Sequence, residues 1–133
     1  MTPQLDVIGI VVTDMSASVA FYRRLGLNFP AGSEEAPHAE AALPNGFRLA
    51  LDTEATIKSF HADWAPPSSS GRIGLAFRCA DPDEVDSVYA ALVEAGYHGE
   101  LKPWDAFWGQ RYAVVQDPDG NGIDLYAALP ATD

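Results

Sequence analysis

The sequence predicts an α+β fold made of two βαβββ units, whose strands form a curved mixed sheet around a concave cleft. Three observations predict it: an internal repeat, a helical pattern after each copy of the repeat, and turn signals between the extended runs that follow. We expect the two units at residues 4–64 and 71–129, within one domain that spans residues 1–133.

The repeat is a β-rich apolar run that ends at an acidic residue. The run at residues 7–14 (VIGIVVTD) is echoed at residues 72–81 (RIGLAFRCAD). The acidic residue, Asp14 or Asp81, can cap a helix, because its carboxylate accepts hydrogen bonds from free backbone N–H groups of the first turn. Apolar residues then recur at helical spacing until a glycine, Gly26 in the first copy, allows a left-handed stop. Each copy therefore predicts a strand followed by a helix.

Three extended segments are expected after each helix. They are residues 27–31, 38–43 and 47–52 in the first unit, and residues 97–104, 111–116 and 122–127 in the second. Pro44-Asn45-Gly46 predicts a hairpin in the first unit, since Asn-Gly tolerates the positive φ angles of tight hairpins. Asp117-Pro118-Asp119-Gly120 predicts the turn before the last strand. The composition of residues 65–71 (APPSSSG) is typical of a linker.

Composition and charge exclude several classes of protein. With 133 residues, 47% of them hydrophobic and 20% charged, the chain is typical of a folded domain. Its single cysteine, Cys79, excludes a disulfide scaffold, and no apolar run reaches the roughly 18–20 residues of a membrane span. The net charge of −11 disfavours nucleic acid and anionic lipid. We expect a cytoplasmic protein with no nucleic-acid or membrane partner. The charge could steer a cationic ligand, although a solvated acidic surface is the simpler interpretation.

Three aromatic residues, Trp104, Phe107 and Trp108, lie within five positions in a predicted loop. Indole rings stack on planar or cationic ligands with about 0.5–2 kcal/mol per contact. These residues are the best candidates for ligand binding. The alternative is that some of them close the open end of the sheet or are buried at a subunit interface.

Polar ligand contacts are predicted at His38 and Glu40, which share one face of a predicted strand. With Asp52 or Arg111 they could bind a polar substituent on a ring. The alternative for Glu40 and Arg111 is a structural ion pair. No catalytic residue is predicted, because the chain has no nucleophile elbow, phosphate loop or dinucleotide fingerprint. Glu40, Asp52 and Asp124 remain only as possible acids or bases.

The chain resembles the vicinal oxygen chelate superfamily, which includes glyoxalase I, bleomycin-resistance proteins and extradiol dioxygenases. The resemblance is carried by the paired units, by FYRRLGL at residues 21–27 and by DPDGNGIDL at residues 117–125. Residues 36–41, 49–53 and 101–115 look most like the mitomycin-resistance branch, whose members bind the drug without catalysis. This resemblance implies a homodimer with two equivalent clefts.

Catalytic members of the superfamily hold a divalent cation with His and Glu side chains. The resemblance carries these four positions onto Val7, Ala50, Arg72 and Asp124. Only Asp124 offers an oxygen ligand, and beside Arg72 we expect it to form an ion pair. The resemblance therefore implies a site without a metal or another cofactor.

The replaced ligand positions also leave space for an organic molecule. Small or apolar side chains are expected to face the concavity at Val7, Gly9, Val11, Ala50, Gly74 and Ala76. The sequence thus predicts metal-free binding and sequestration of a planar aromatic or quinone-type small molecule, such as a mitomycin-like antibiotic. The alternative is a glyoxalase- or dioxygenase-type lyase, isomerase or oxygenase that acts on a small metabolite.

Overall fold

The computed structural model of the chain describes residues 2–67 and 72–131. The chain divides into two compact units at the boundary between residues 67 and 68, and each unit has its own sheet. The first contains β1 (Val7–Val12), α1 (Met15–Arg24), β2 (His38–Ala42), β3 (Arg48–Thr53) and α2 (Glu54–Lys58). The second contains β4 (Gly74–Arg78), α3 (Pro82–Glu94), β5 (Gly99–Ala106), β6 (Gln110–Gln116) and β7 (Gly122–Ala128).

The first unit has a three-stranded sheet with the order β1, β3, β2. β1 runs parallel to β3, and β2 runs antiparallel to it. Strand side chains alternate between the two faces. Val12, Leu49 and Leu51 are buried on one face, and α1 contributes the buried Phe21 and Tyr22 to the same core. The opposite face carries the polar residues of β2 and β3.

Helix α1 begins and ends where the sequence predicts. The Asp14 carboxylate accepts a hydrogen bond from the backbone N–H of Ala17 at 3.1 Å. Gly26 follows the helix with φ +89°, a left-handed conformation that costs glycine little. The predicted cap and stop are therefore both confirmed.

The predicted strand at residues 27–31 is wrong. Residues 27–30 have no regular structure, and a turn and a short 3-10 helix (Ser33–Glu35) follow them. Pro30 has no N–H to donate to a ladder. The Arg23 guanidinium binds the carbonyl oxygens of Phe29 and Pro30 at 3.1 and 3.2 Å, and Gly32 turns the chain with φ +87°. These contacts occupy backbone acceptors that a strand would need.

The other two segments of the first unit form the predicted hairpin. β2 pairs with β3, and the turn at Pro44–Gly46 contains Asn45 at φ +75° and Gly46 at φ +77°. Helix α2 was not predicted from the sequence. Its start is capped by the Thr53 hydroxyl, which accepts a hydrogen bond from the Thr56 backbone N–H at 3.2 Å.

The second unit has a four-stranded sheet with the order β4, β7, β6, β5. β4 is parallel to β7, and the other pairs are antiparallel. Each of the three predicted segments matches a strand to within two residues. Helix α3 starts at the predicted cap, because the Asp81 carboxylate accepts from the Glu84 N–H at 2.8 Å. Its buried Val85 and Leu92 belong to a core with Ala113, Val115, Ile123 and Leu125 of β6 and β7.

The α+β fold class is confirmed, with the strands divided between two mixed sheets of three and four strands. Part of the predicted linker, residues 68–71, lies outside the described residues. None of the helices described at residues 2–67 and 72–131 has the length and apolar character needed to span a membrane. The organisation of residues 1–133 as one domain stays a prediction.

Candidate functional site

The predicted aromatic residues come together at the β5–β6 hairpin. Trp104 lies on β5, and Phe107 and Trp108 lie in the turn that Gly109 closes at φ +90°. The ring centroids of Trp104 and Trp108 are 6.0 Å apart with their planes at 90°, and those of Phe107 and Trp108 are 5.0 Å apart at 86°. Edge-to-face contacts of this kind are favourable for aromatic pairs.

Tyr112 completes this group and was not among the predicted site residues. It lies on β6 directly opposite Trp104. Its ring centroid is 5.5 Å from that of Trp104 and 5.2 Å from that of Trp108. We call Trp104, Phe107, Trp108 and Tyr112 the aromatic cluster. The sequence signal for Tyr112 is its position on β6, since alternate residues of a strand share one face of the sheet.

Two members of the aromatic cluster are exposed, while Trp104 and Tyr112 are partly buried. Phe107 is 96% exposed and Trp108 is 48% exposed. Trp108 donates a hydrogen bond from its indole Nε1 to the Gln110 side-chain oxygen at 2.8 Å, which restrains the ring. Exposed apolar groups of this size often mark a ligand or protein binding surface. The core of the second unit lies on the other face of the sheet, so these rings are not needed to complete it.

Asp124 lies beside the aromatic cluster on β7. The Tyr112 hydroxyl donates a hydrogen bond to its carboxylate at 2.5 Å. Burial, followed by this bond to Asp124, raises the pKa of Tyr112 to about 12. The phenol therefore stays a neutral donor at neutral pH. The expected ion pair between Asp124 and Arg72 is wrong for the described residues, because Asp124 pairs with Ala76, four residues along the chain from Arg72, and its carboxylate binds Tyr112 instead.

Arg111 lies on the face of the second sheet that packs against α3. Its Nε donates to the Asp86 carboxylate on α3 at 2.9 Å, and its Nη1 donates to Asp105 at 3.1 Å. Trp104 and Tyr112, one position along each strand, lie on the opposite face. This placement favours a structural ion pair for Arg111, with acidic partners other than the predicted Glu40.

The predicted polar residues of the first unit also come together. The His38 Nδ1 atom lies 2.6 Å from an Asp52 carboxylate oxygen, and its Nε2 atom lies 2.8 Å from a Glu40 oxygen. Arg48 donates to the other Glu40 oxygen at 2.9 Å and to Asp6 at 2.5 Å. We call these five residues the charge network. It connects side chains of β2, β3 and the segment before β1.

Three members of the charge network line a cavity of about 450 Å³ in the first unit. Residues 30–33, which continue from the irregular segment at residues 27–30, also line it. His38, Glu40 and Arg48 line the cavity together with small apolar residues. Hydrogen bonds to Glu40 and then to Asp52 raise the pKa of His38, so its imidazolium form is stabilised.

The charge network gives the fold a stability that depends on pH. Because the pKa of His38 is raised above 6.5, its contribution is full below that value and is lost as the pH rises through the folded-state pKa. The hydrogen bond from His38 lowers the pKa of Glu40, so the Glu40 contribution is lost on acidification below about 4.5. We expect His38→Gln to lower the free energy of unfolding more at about pH 5.5 than at about pH 8.5.

Urea denaturation of the native chain and of His38→Gln at both pH values measures this effect. His61→Gln serves as the control, because His61 is exposed and lies in a turn outside the charge network. An equal loss of stability at the two pH values would show that His38 does not act through its charge.

The sheet register corrects one of the four metal-ligand positions carried over by resemblance. Val11 pairs with Asp52 in the first unit, as Ala76 pairs with Asp124 in the second. Val11 and Ala76 occupy matching positions of the repeat. The counterpart of Asp124 is therefore Asp52, not Ala50.

These positions do not fit the metal that the superfamily implies. Val7 offers only hydrocarbon and Arg72 carries a positive charge, so neither can donate a lone pair to a cation. Asp52 and Asp124 each accept a hydrogen bond from a neighbouring side chain. Within residues 2–67 and 72–131, no group of three or more His, Cys, Asp or Glu side chains is arranged to hold a metal ion.

Comparison with known proteins agrees with this fold. The model of the Glyoxalase/Bleomycin resistance protein/Dioxygenase superfamily matches residues 4–125. The uncharacterized protein YaeR of Escherichia coli (strain K12) is 30% identical over 125 residues, which is 92% of this chain and 95% of YaeR.

Two solved structures illustrate the structural similarity. A glyoxalase/bleomycin resistance protein/dioxygenase from Nocardioides is 25% identical with a TM-score of 0.75, covering 100% of this chain and 88% of its own. A family enzyme from Burkholderia phytofirmans PsJN is 18% identical with a TM-score of 0.82, covering 96% of this chain and 100% of its own. The chain therefore belongs to the glyoxalase/bleomycin resistance protein/dioxygenase superfamily.

Proposed function

We propose that the chain binds and sequesters a planar aromatic or quinone-type small molecule, without a metal, at the aromatic cluster. The observation that carries this proposal is the exposure of Phe107 and Trp108 on a hairpin whose other rings, Trp104 and Tyr112, pack against Trp108. A ring system that stacks on them covers apolar surface that the chain leaves open. Sequestration needs only this binding and no bond-breaking step.

The more specific proposal is a mitomycin-like antibiotic, bound by a cytoplasmic homodimer. The resemblance of residues 36–41, 49–53 and 101–115 to the mitomycin-resistance branch supports it. The last of these segments contains the whole aromatic cluster. Within the first unit, His38, Glu40 and Asp52 are proposed as separate polar ligand contacts, and His38 and Glu40 line its cavity. Arg111 is left out, because its guanidinium is held by Asp86 and Asp105.

Titration with mitomycin C and a panel of planar quinones tests the proposal through intrinsic tryptophan fluorescence. Two of the three tryptophans, Trp104 and Trp108, belong to the aromatic cluster, so we expect saturable quenching. Trp64→Phe is the control, because it removes the tryptophan of the first unit and should leave the quenching intact. The absence of quenching by every compound would contradict binding at the aromatic cluster.

The same titration separates binding from catalysis. Mass spectrometry of the compound after incubation with the chain should return its original mass if the compound is only held. A new product that forms in proportion to the amount of chain would instead favour the lyase, isomerase or oxygenase alternative.

A further inference from the structure

The face of the second sheet that carries the aromatic cluster has one region of bulky side chains and one region of very small side chains. Trp104 on β5, Tyr112 on β6 and Tyr126 on β7 lie in one row across the sheet. Beside this row, β4 exposes Gly74, which has no side chain, and Ala76, which has only a methyl group. A flat molecule resting on β4 would therefore meet the edge of the aromatic row.

Asp124 lies on β7, at the boundary between the aromatic row and the small residues of β4. It pairs with Ala76 across β4 and β7, and one of its oxygens accepts the bond from the Tyr112 hydroxyl. In the described part of the chain, its other oxygen has no hydrogen-bond donor and its charge has no ion-pair partner. Arg78 lies further along β4, opposite Tyr126, and forms no ion pair with Asp124. The carboxylate is thus available to a group on a bound molecule.

The electrostatics of this face favour a positive group on the ligand. The faces of aromatic rings carry partial negative charge and attract cations, and a carboxylate oxygen forms a strong bond with a charged N–H donor. The chain as a whole carries a net charge of −11, which raises the local concentration of cationic molecules and lowers that of anionic ones. These three effects have the same sign, and the positive charge of Arg78, exposed on the same face two residues from Ala76, opposes them.

We propose that Asp124, together with the aromatic cluster, selects planar aromatic molecules that carry a protonated amino group over neutral or anionic molecules of the same shape. This selectivity rests on the proposed function, since the rings must first bind a planar molecule. Asp124 accepts the N–H of the amino group with its free oxygen, while Tyr112 holds the other oxygen in place. The ligand class is therefore a cationic aromatic amine.

Three tricyclic probes test the selectivity: acridine, which is neutral at about pH 7.5, 9-aminoacridine, which is cationic, and acridine-9-carboxylate, which is anionic. We expect calorimetric titration of the native chain to give affinity for 9-aminoacridine at least about tenfold above that for acridine, with the carboxylate weakest. Asp124→Asn should remove most of this preference, so that acridine and 9-aminoacridine bind with similar affinity. Glu94→Gln changes the net charge equally on α3, behind the sheet, and should keep the preference.

A second variant covers the case in which Asp124→Asn does not fold. Ala76→Lys places a cation on an exposed position directly opposite Asp124 and leaves its bond to Tyr112 intact. It should also abolish the preference for 9-aminoacridine.

The outcomes distinguish the two proposals. If acridine binds but the preference for 9-aminoacridine survives in both variants, the role of Asp124 is overturned while binding at the aromatic cluster stands. If none of the three tricycles binds, binding of planar molecules at the cluster is itself contradicted, and the selectivity falls with it.

Discussion

Replacing Trp108 with alanine is expected to weaken the binding of a planar ligand by about 1–3 kcal/mol, or roughly 5- to 150-fold in Kd. Trp108 is at the centre of the aromatic cluster, with ring contacts to Trp104, Phe107 and Tyr112. Its indole is half exposed and is restrained by the bond to Gln110. A restrained, exposed ring loses little conformational freedom when a ligand stacks on it, which is the property of a binding anchor.

Calorimetric titration of the native chain and of Trp108→Ala with the compound that gives the strongest quenching measures this loss. Trp64→Ala is the matched control, because it removes a half-buried tryptophan from the first unit and should change the affinity by less than about twofold. An unchanged affinity in a folded Trp108→Ala protein would mean that the ligand, if bound, does not use this ring.

Local chemistry made several caps and turns predictable, although the short helix α2, which Thr53 caps locally, was missed. The helix caps at Asp14 and Asp81 and the Asn45-Gly46 turn all act within a few residues of chain, and all three are confirmed. The prediction of a strand at residues 27–31 was wrong because the conformation of this segment depends on a contact with a residue outside it. Arg23 binds the carbonyls of Phe29 and Pro30, and nothing in the pattern of residues 27–31 reveals that contact.

The sequence predicted that the candidate site contains aromatic residues, but it did not predict the full set of residues that form it. Trp104, Phe107 and Trp108 stand out because they are close in sequence, whereas Tyr112 joins them only through the β5–β6 register. Arg111 is next to Tyr112 in the sequence, but side chains alternate along a strand, so Arg111 lies on the opposite face and binds Asp86 of α3. A shift of one residue in register exchanges the faces, so the sequence alone could not separate these two neighbours.

The motif FYRRLGL at residues 21–27, on which part of the family resemblance rests, has a structural explanation. Phe21 and Tyr22 are fully buried, with ring centroids 5.0 Å apart at 88°. The Tyr22 carbonyl accepts from the backbone N–H of Leu27 at 3.1 Å, and Gly26 adopts the left-handed turn after α1. Each of these features serves the fold of the first unit. The motif therefore identifies the superfamily without indicating a ligand.

This explanation predicts that Phe21→Ala lowers the free energy of unfolding by about 3–5 kcal/mol, since the lost ring leaves a cavity in a close-packed core. Phe60→Ala removes the same atoms from a residue that is 76% exposed and should cost less than about 1 kcal/mol. Urea denaturation of the two variants gives the comparison. Because Phe21 belongs to the first unit and the aromatic cluster to the second, Phe21→Ala protein that is still folded should keep its quenching response. Similar losses of stability in the two variants would show that burial of Phe21 is not what the motif provides.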